Sequence, residues 1–183
     1  MRVAPRILCL CYGNPSRGDD GLGPAMGQAL EEAAFPGVTV EVDYQLGVEH
    51  AMAVAEHDVV LFIDAAARGA APFEVRRVEP RAVLSFSSHS LTPEQVLGLA
   101  AEVFGAAVPG FVVAIRGYHF GEFREELSDE ARENLEAALA YTRRILHDWV
   151  NGPADGWEDP AALPAGAQGV DGYARRETRD SLC

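Results

Sequence analysis

A single α/β domain is the fold that the sequence predicts: a three-layer α/β/α sandwich with a mostly parallel, twisted sheet of about five strands and helices on both faces. Short apolar runs of strand length alternate with segments of helical periodicity along most of the chain. The run from 59 to 64 is almost continuously apolar, which is typical of a central strand buried on both faces. With 183 residues, the chain suits one domain that has a sizeable core.

Five segments have the length and composition of β-strands. They are residues 7–12, 38–43, 59–64, 73–78 and 110–115. The fourth is more polar than the others and follows a Gly-Ala-Ala-Pro turn, which favours an edge position. Cys9 and Cys11 lie two residues apart on the first strand and so share one face, where we interpret them as buried thiols rather than a metal pair.

Four further segments are predicted to be helices. They are residues 22–33, 47–56, 93–103 and 128–149. The third begins after Thr92, a capping residue, with Pro93 in the first turn and Gln95 at the capping-box position. The apolar stripe of the last helix is expected at Leu135, Leu139, Thr142, Leu146 and Trp149.

The composition limits the partners and the compartment. Residues 151–183 are rich in Gly, Pro, Ala, Asp and Arg and lack an apolar period, so we expect a folded domain at 1–150 and a flexible tail at 151–183. The formal net charge is −13 and the chain has no lysine, which argues against nucleic acid or an anionic membrane as the main partner. Because no apolar run reaches the roughly 18–20 residues of a membrane span and no signal-like segment opens the chain, we expect a cytoplasmic protein. The small size and the strongly acidic surface make a monomer the default expectation.

A glycine-rich loop, Gly13-Asn14-Pro15-Ser16-Arg17-Gly18-Asp19-Asp20-Gly21-Leu22-Gly23, joins the first strand to the first helix. Asp19 and Asp20 fall at the start of that helix. One interpretation is that one or both aspartates cap the helix. The other is that Asp20 points into a crevice at the carboxyl end of the strand, where open α/β sheets keep their active sites. The two interpretations are compatible, since Asp19 can cap while Asp20 takes the second position.

Acidic residues also end the second and third strands, at Asp43 and Asp64, and His89 lies in a serine-rich loop. Because the loops after parallel strands share one edge of the sheet, Asp20, Asp43, Asp64 and the His89 loop could converge there, and two carboxylates with one imidazole would suit a divalent metal such as nickel or zinc. We rank Asp20, Asp64 and His89 first, above His119 and Glu122, which follow the last strand. Each has a simpler interpretation: Asp64 could cap a turn, and His89 could be a solvated loop residue. We interpret the charged neighbours on or beside the short second helix as a solvated face; they are Glu49, His50, Glu56, His57 and Asp58.

Several common signatures are absent from the sequence. There is no Gly-x-Ser-x-Gly motif, which leaves Ser87 and Ser88 without the usual context of a nucleophile. The glycine-rich loop lacks the Gly-Lys-Ser/Thr ending of a phosphate-binding loop, and its glycine spacing is not that of a dinucleotide-binding loop. Its two aspartates would also repel a pyrophosphate. Nucleotide binding is therefore disfavoured.

Three motifs in this order resemble the hydrogenase maturation proteases, the endopeptidases that trim the C-terminus of the large subunit of nickel-iron hydrogenases. The loop at 13–23 is similar to the opening motif of that family almost letter for letter. Residues 62–65, Phe-Ile-Asp-Ala, resemble its second acidic motif, and Ser-Ser-His-Ser-Leu at 87–91 followed by Thr-Pro resembles its histidine motif. The resemblance covers about residues 6–149.

The resemblance implies a peptidase whose metal ligands are Asp20, Asp64 and His89. It also implies the substrate, an immature large subunit that already holds nickel in its own cysteines, so the nickel is presented by the substrate protein and sensed through the protease. In this scheme the catalytic residues are Asp19, Asp20 and Asp64, with Asp19 as a general base.

Two features depart from the family pattern. The family often has glutamate at the position of Asp20, and nothing in the family matches the segment from 151 onward. The same ligands would also suit a metal-sensing chaperone or nickel carrier that binds the large subunit without cutting it. A general metallopeptidase or amidase for small substrates is a further alternative.

Overall fold

The computed structural model describes residues 5–82, 90–121 and 123–152. Its helices and strands alternate as the sequence predicts. In chain order they are β1 (Ile7–Tyr12), α1 (Leu22–Ala33), β2 (Val38–Asp43), α2 (Glu49–Ala55), β3 (Val59–Ala66), β4 (Phe73–Val78), α3 (Pro93–Phe104), β5 (Gly110–Arg116) and α4 (Asp129–Asn151). A single 3₁₀ turn, Asp19–Gly21, precedes α1.

The five strands form one sheet in the order β2-β1-β3-β5-β4. All neighbours are parallel except β4, which pairs antiparallel with β5 at the edge of the sheet. The expected fold class, a mostly parallel five-stranded sheet between two helical layers, is confirmed, and so is the edge position of β4. Each βαβ connection crosses over with a helix, as parallel neighbours require.

Two apolar cores lie on the two faces of the sheet. One joins α1 and α4 to the side chains of Ile7, Cys9 and Cys11 on β1. The other joins α2 and α3 to the alternate side chains of the same strand, including Leu8 and Leu10. This alternation is the two-residue period of a strand that is buried on both faces. Cys9 and Cys11 are buried thiols, as expected.

The last helix has nearly the expected bounds and runs from Asp129 to Asn151. Of its expected apolar stripe, Thr142, Leu146 and Trp149 are buried, whereas Leu135 and Leu139 are only partly buried. Tyr141 is buried as well, and its ring contacts Phe73 of β4 at a tilt of 45° with ring centroids 5.1 Å apart. The predicted tail lies outside the described residues from 153 onward, so that boundary stays a prediction.

The helix ends agree with the sequence at α3 but not at α1. Thr92 and Gln95 form the expected capping box of α3, and Ser128 caps α4. At α1 the N-cap is Gly21, and no side chain caps it. The interpretation that Asp19 or Asp20 caps this helix is therefore wrong, and both carboxylates bond elsewhere. Within the residues that the structure describes, no helix is long and apolar enough to cross a membrane.

Candidate active site at the carboxyl edge of the sheet

The acidic strand ends lie at one edge of the sheet, as the parallel topology requires. Tyr12 pairs with Asp43, and Cys11 pairs with Ile63, so Asp64 stands beside Tyr12 in the next row. The alternate residues before Asp64 belong to the core beneath α2 and α3, and Asp64 therefore faces the same layer. Because β3 continues to Ala66, Asp64 lies within the strand rather than after it. Its side chain is held on rigid backbone.

Two close backbone approaches bring the glycine-rich loop down to this edge. A Cβ at Gly23 would lie 2.1 Å from the carbonyl oxygen of Tyr12 and 2.9 Å from that of Ile63, so only glycine fits where α1 begins. Gly13 has a φ of +145°, and a Cβ there would lie 2.1 Å from the carbonyl oxygen of Asp20. The glycines thus fold the loop against the ends of β1 and β3 and bring Asp20 to the edge that carries Asp64.

Backbone N–H groups orient both carboxylates. The Asn14 N–H donates to Oδ2 of Asp20 at 2.9 Å, and the Ala65 N–H donates to Oδ1 of Asp64 at 2.7 Å. The two residues are nearly buried, with 7% of Asp20 and 3% of Asp64 exposed. Fixed, partly desolvated carboxylate oxygens of this kind suit a divalent metal, and the role of these two residues as metal ligands stays a prediction.

Asp19 has a different environment from Asp20. Its Oδ2 accepts hydrogen bonds from the N–H groups of Tyr118 at 2.7 Å and His119 at 2.9 Å, and from the Ser128 hydroxyl at 2.8 Å. Its Oδ1 accepts from the Ser128 N–H at 2.7 Å, and none of the residue is exposed. One carboxylate therefore joins the glycine-rich loop, the segment after β5 and the start of α4.

These donors control the ionisation of Asp19. Burial raises its pKa, but the hydrogen bonds from Ser128, His119 and Tyr118 outweigh that effect, and the net pKa of Asp19 is below its usual value. The residue is consequently a carboxylate at neutral pH. Four donors and complete burial favour a positioning role for Asp19; its predicted role as general base stays a prediction.

The predicted ligand His89 lies outside the described residues. The chain is described again from Ser90, and the Leu91 N–H donates to the carbonyl of Leu46 at 2.8 Å, in the loop between β2 and α2. That loop follows Asp43 at the carboxyl edge. The position of Leu91 is therefore on the edge of the sheet that carries Asp20 and Asp64.

A second imidazole, His50, is buried beside the site, contrary to the expectation that it belongs to a solvated face, whereas Glu49, Glu56 and Asp58 are exposed as expected. Only 4% of His50 is exposed. With Asp43 and Glu49 it forms the one group of three or more potential metal-binding side chains found among the described residues. The Gly47 N–H donates to His50 Nδ1 at 2.8 Å, so the neutral ring carries its proton on Nε2, 3.8 Å from Oδ2 of Asp43. A metal at Nε2 would have to displace this proton at the expense of the Gly47 hydrogen bond, and we interpret this cluster as the brace of a loop.

Sequence reasoning could have found His50 from its spacing. It lies four residues before Val54 and one before Ala51, and all three are buried on one side of α2. The charged neighbours of His50 favoured the other interpretation, because residues such as Glu49 are typical of a solvent-exposed face.

The fold was compared with known proteins. No protein-family profile matches the chain, and no curated protein is similar enough to count as a relative. Solved structures do match. The [NiFe] hydrogenase maturation protease HycI from Thermococcus kodakarensis KOD1 is 24% identical, with a TM-score of 0.62 over 79% of this chain and 94% of that chain. The chain has the fold of the hydrogenase maturation proteases.

Two other structures agree. The hydrogenase maturating endopeptidase HybD from E. coli is 24% identical, with a TM-score of 0.62 over 78% of this chain and 93% of that chain. The hydrogenase 2 maturation peptidase from Thaumarchaeota archaeon SCGC_AB-539-E09 is 21% identical, with a TM-score of 0.59 over 78% of this chain and 98% of that chain. Both cover most of the described domain, and at these identities the likeness concerns the fold.

Proposed function

We propose that this protein is an endopeptidase that removes the C-terminal extension of the nickel-loaded large subunit of a nickel-iron hydrogenase. The observation that carries the proposal is the pair Asp20 and Asp64, two nearly buried and backbone-oriented carboxylates at one edge of a maturation-protease fold. They lie where open α/β sheets bind their ligands. The motif resemblance and the fold both support the proposal.

In this proposal nickel is part of the substrate rather than a resident cofactor. Asp20, Asp64 and His89 are the residues that would contact it. Two carboxylates and one imidazole suit a late first-row metal, and a ligand set of three leaves positions for donors from the substrate. Nickel there would mark the precursor as ready for cutting.

The residues of this chain divide the remaining work. Asp20 and Asp64 are the candidates for accepting the proton of the attacking water, because both belong to the carboxyl edge of the sheet, where open α/β sheets bind their ligands. Asp19 holds Tyr118, His119 and Ser128 in place and thereby fixes the wall of the site. Asp19, Asp20 and Asp64 would all be needed for activity, and the proposed enzyme is an aspartic-type endopeptidase in this sense.

The oligomeric state, the compartment and the partner of the protein are also part of the proposal. We propose that the protein acts as a monomer in the cytoplasm, and that its partner is the large-subunit precursor rather than nucleic acid or a membrane. The net charge of −13 supports the exclusion of polyanionic partners.

Intact mass spectrometry of a nickel-loaded large-subunit precursor tests the proposal. The wild-type chain should shorten the precursor, whereas Asp20→Asn, Asp64→Asn and His89→Ala should leave its mass unchanged while remaining folded. Asp58→Asn is the matched control, because Asp58 bonds Arg6 away from the site and its loss should leave cleavage intact.

The other outcomes identify the alternatives. A precursor that binds but keeps its full mass would make the protein a chaperone or nickel carrier. Cleavage of short peptides without a nickel-loaded partner would make it a general metallopeptidase.

A further inference from the structure

We propose that an exposed apolar patch beside the site, formed by Tyr44, Val48 and Met52, binds an extended segment of the protein substrate next to the bond that is cut. This inference rests on the proposed function and adds a specificity surface to it. The three side chains are 64%, 55% and 53% exposed. Large apolar groups at that exposure, grouped beside a site, are typical of a contact surface.

The patch is built on a braced loop. His50 is buried behind it, accepts a hydrogen bond from the Gly47 N–H and faces Asp43. Leu46 is 1% exposed, and its carbonyl accepts the Leu91 N–H. The loop therefore presents Tyr44 and Val48 from a fixed backbone. A preorganised surface loses less conformational entropy when a partner binds.

Met52 belongs to the patch because of its spacing on α2. Met52 follows Val48 by four residues, which places the two side chains on the same side of α2. The flexible thioether of methionine can adapt to more than one apolar side chain. The patch thus starts at the carboxyl edge and continues one turn along α2.

The distance from the site sets what the patch can contact. Asp43, which precedes Tyr44, and Asp64 are level with Tyr12 on either side of β1. Two strand spacings separate them by roughly 10 Å. An extended chain rises about 3.3 Å per residue, so a substrate held at Asp64 reaches the patch within about three or four residues.

Charge indicates the chemistry of the occupant. No Lys or Arg occurs from Val38 to Asp58, and the patch is bordered by the exposed carboxylates of Asp43 and Glu49. A substrate segment complementary to this patch therefore carries apolar side chains together with at least one Arg or Lys. A second copy of this chain fits poorly, because a symmetric contact would bring these carboxylates against their own equivalents.

Steady-state kinetics with the full chain and a nickel-loaded precursor test the patch. Val48→Asp and Met52→Asp should each raise KM about tenfold with kcat unchanged, since the lost contacts are equal in the ground and transition states. The matched control is Val103→Asp, at the far end of α3 and 62% exposed, which should change KM less than twofold. Equal effects at Val48 and Val103, or a fall in kcat alone, would overturn the proposal.

Two further measurements make the outcome decisive. KM should rise with salt, and Glu49→Gln should weaken that rise; an unchanged salt dependence would refute the charge argument. A photo-crosslinking p-benzoylphenylalanine at position 48 should join the precursor within about six residues of the cut. Adducts on a distant surface of the precursor, or on a second copy of this chain, would refute the inference.

The crosslink also separates this inference from the proposed function. If wild-type protein never shortens the precursor yet crosslinks to its C-terminal segment, the patch stands and the endopeptidase assignment fails. If cleavage occurs but the crosslink lies elsewhere, the assignment stands and the patch is wrong.

Discussion

Replacing Asp19 by asparagine should destabilise the fold in a way that depends on pH. The native carboxylate accepts four hydrogen bonds at 2.7–2.9 Å, two of them from Ser128. Three of these bonds end on Oδ2 and one on Oδ1, so an asparagine whose oxygen takes the Oδ2 position keeps three acceptor contacts and turns its NH₂ group toward the Ser128 N–H. Losing one hydrogen bond to a charged group and leaving a buried N–H without an acceptor predict a cost of about 2–4 kcal/mol.

The sign of the pH dependence follows from the lowered pKa. Because the folded-state pKa of Asp19 is below its unfolded value of about 3.9, its contribution is complete above that pH and is lost as the pH falls through the folded pKa. The stability difference between wild type and Asp19→Asn should therefore be largest near neutral pH and shrink below about pH 4.

Urea unfolding from pH 3 to pH 7 measures this difference. Glu126→Gln is the matched control, because Glu126 is an exposed carboxylate two residues from Ser128 and its loss should change the free energy of unfolding by less than about 0.5 kcal/mol. A difference for Asp19→Asn that stays below 1 kcal/mol, or one that does not vary with pH, would refute the network argument.

Three further predictions concern the scaffold. Gly23→Ala should cost about 2–3 kcal/mol in thermal or urea unfolding, because the added Cβ meets the Tyr12 carbonyl oxygen at 2.1 Å. Phe111→Ala should cost about 3–5 kcal/mol by the same measurement, because the ring is fully buried. Burial raises the pKa of Cys9 to about 12 and that of Cys11 well above its usual value, so neither thiol should react with a disulfide reagent at pH 8 until the chain unfolds.

Each of the three predictions about the scaffold can be contradicted by a specific result. Normal stability of the Gly23→Ala chain would show that α1 does not approach the strand ends so closely. A cost below 1 kcal/mol at Phe111 would place that ring outside the core. Fast labelling in a Cys183→Ser background would show that β1 is accessible.

Most of the strands and helices could be predicted from the spacing of apolar residues in the sequence. The apolar run at 59–64 is visible as a central strand because no polar residue interrupts it, and β4 is visible as an edge strand because its polar residues could not lie between neighbours. The burial of α4 was less predictable. The predicted stripe is buried at Leu146 and Trp149, but Tyr141 is buried as well, and its contact with Phe73 comes from a distant part of the chain.

The position of the candidate site in the fold could be predicted from the sequence, but the roles of its residues were harder to predict. Asp20 and Asp64 follow from topology, because parallel strands bring their carboxyl ends together. The partners of Asp19 lie 99 to 109 residues away, and no local pattern reports such contacts. His50 was misjudged for a similar reason: its acceptor role depends on a backbone N–H that only the folded turn provides.

The Asp19 network also bears on the order of folding. Its donors belong to the segment after β5 and to the first residue before α4, so the carboxylate is satisfied only when the C-terminal half has joined the sheet. We expect Asp19 to form its contacts after the transition state, which corresponds to a low φ-value and to variants that unfold faster but fold at the normal rate. A nascent or partly folded chain would then lack an assembled site. In the proposed endopeptidase, cutting would then begin only after the C-terminal half has folded, so neighbouring proteins would not meet an active chain during its synthesis.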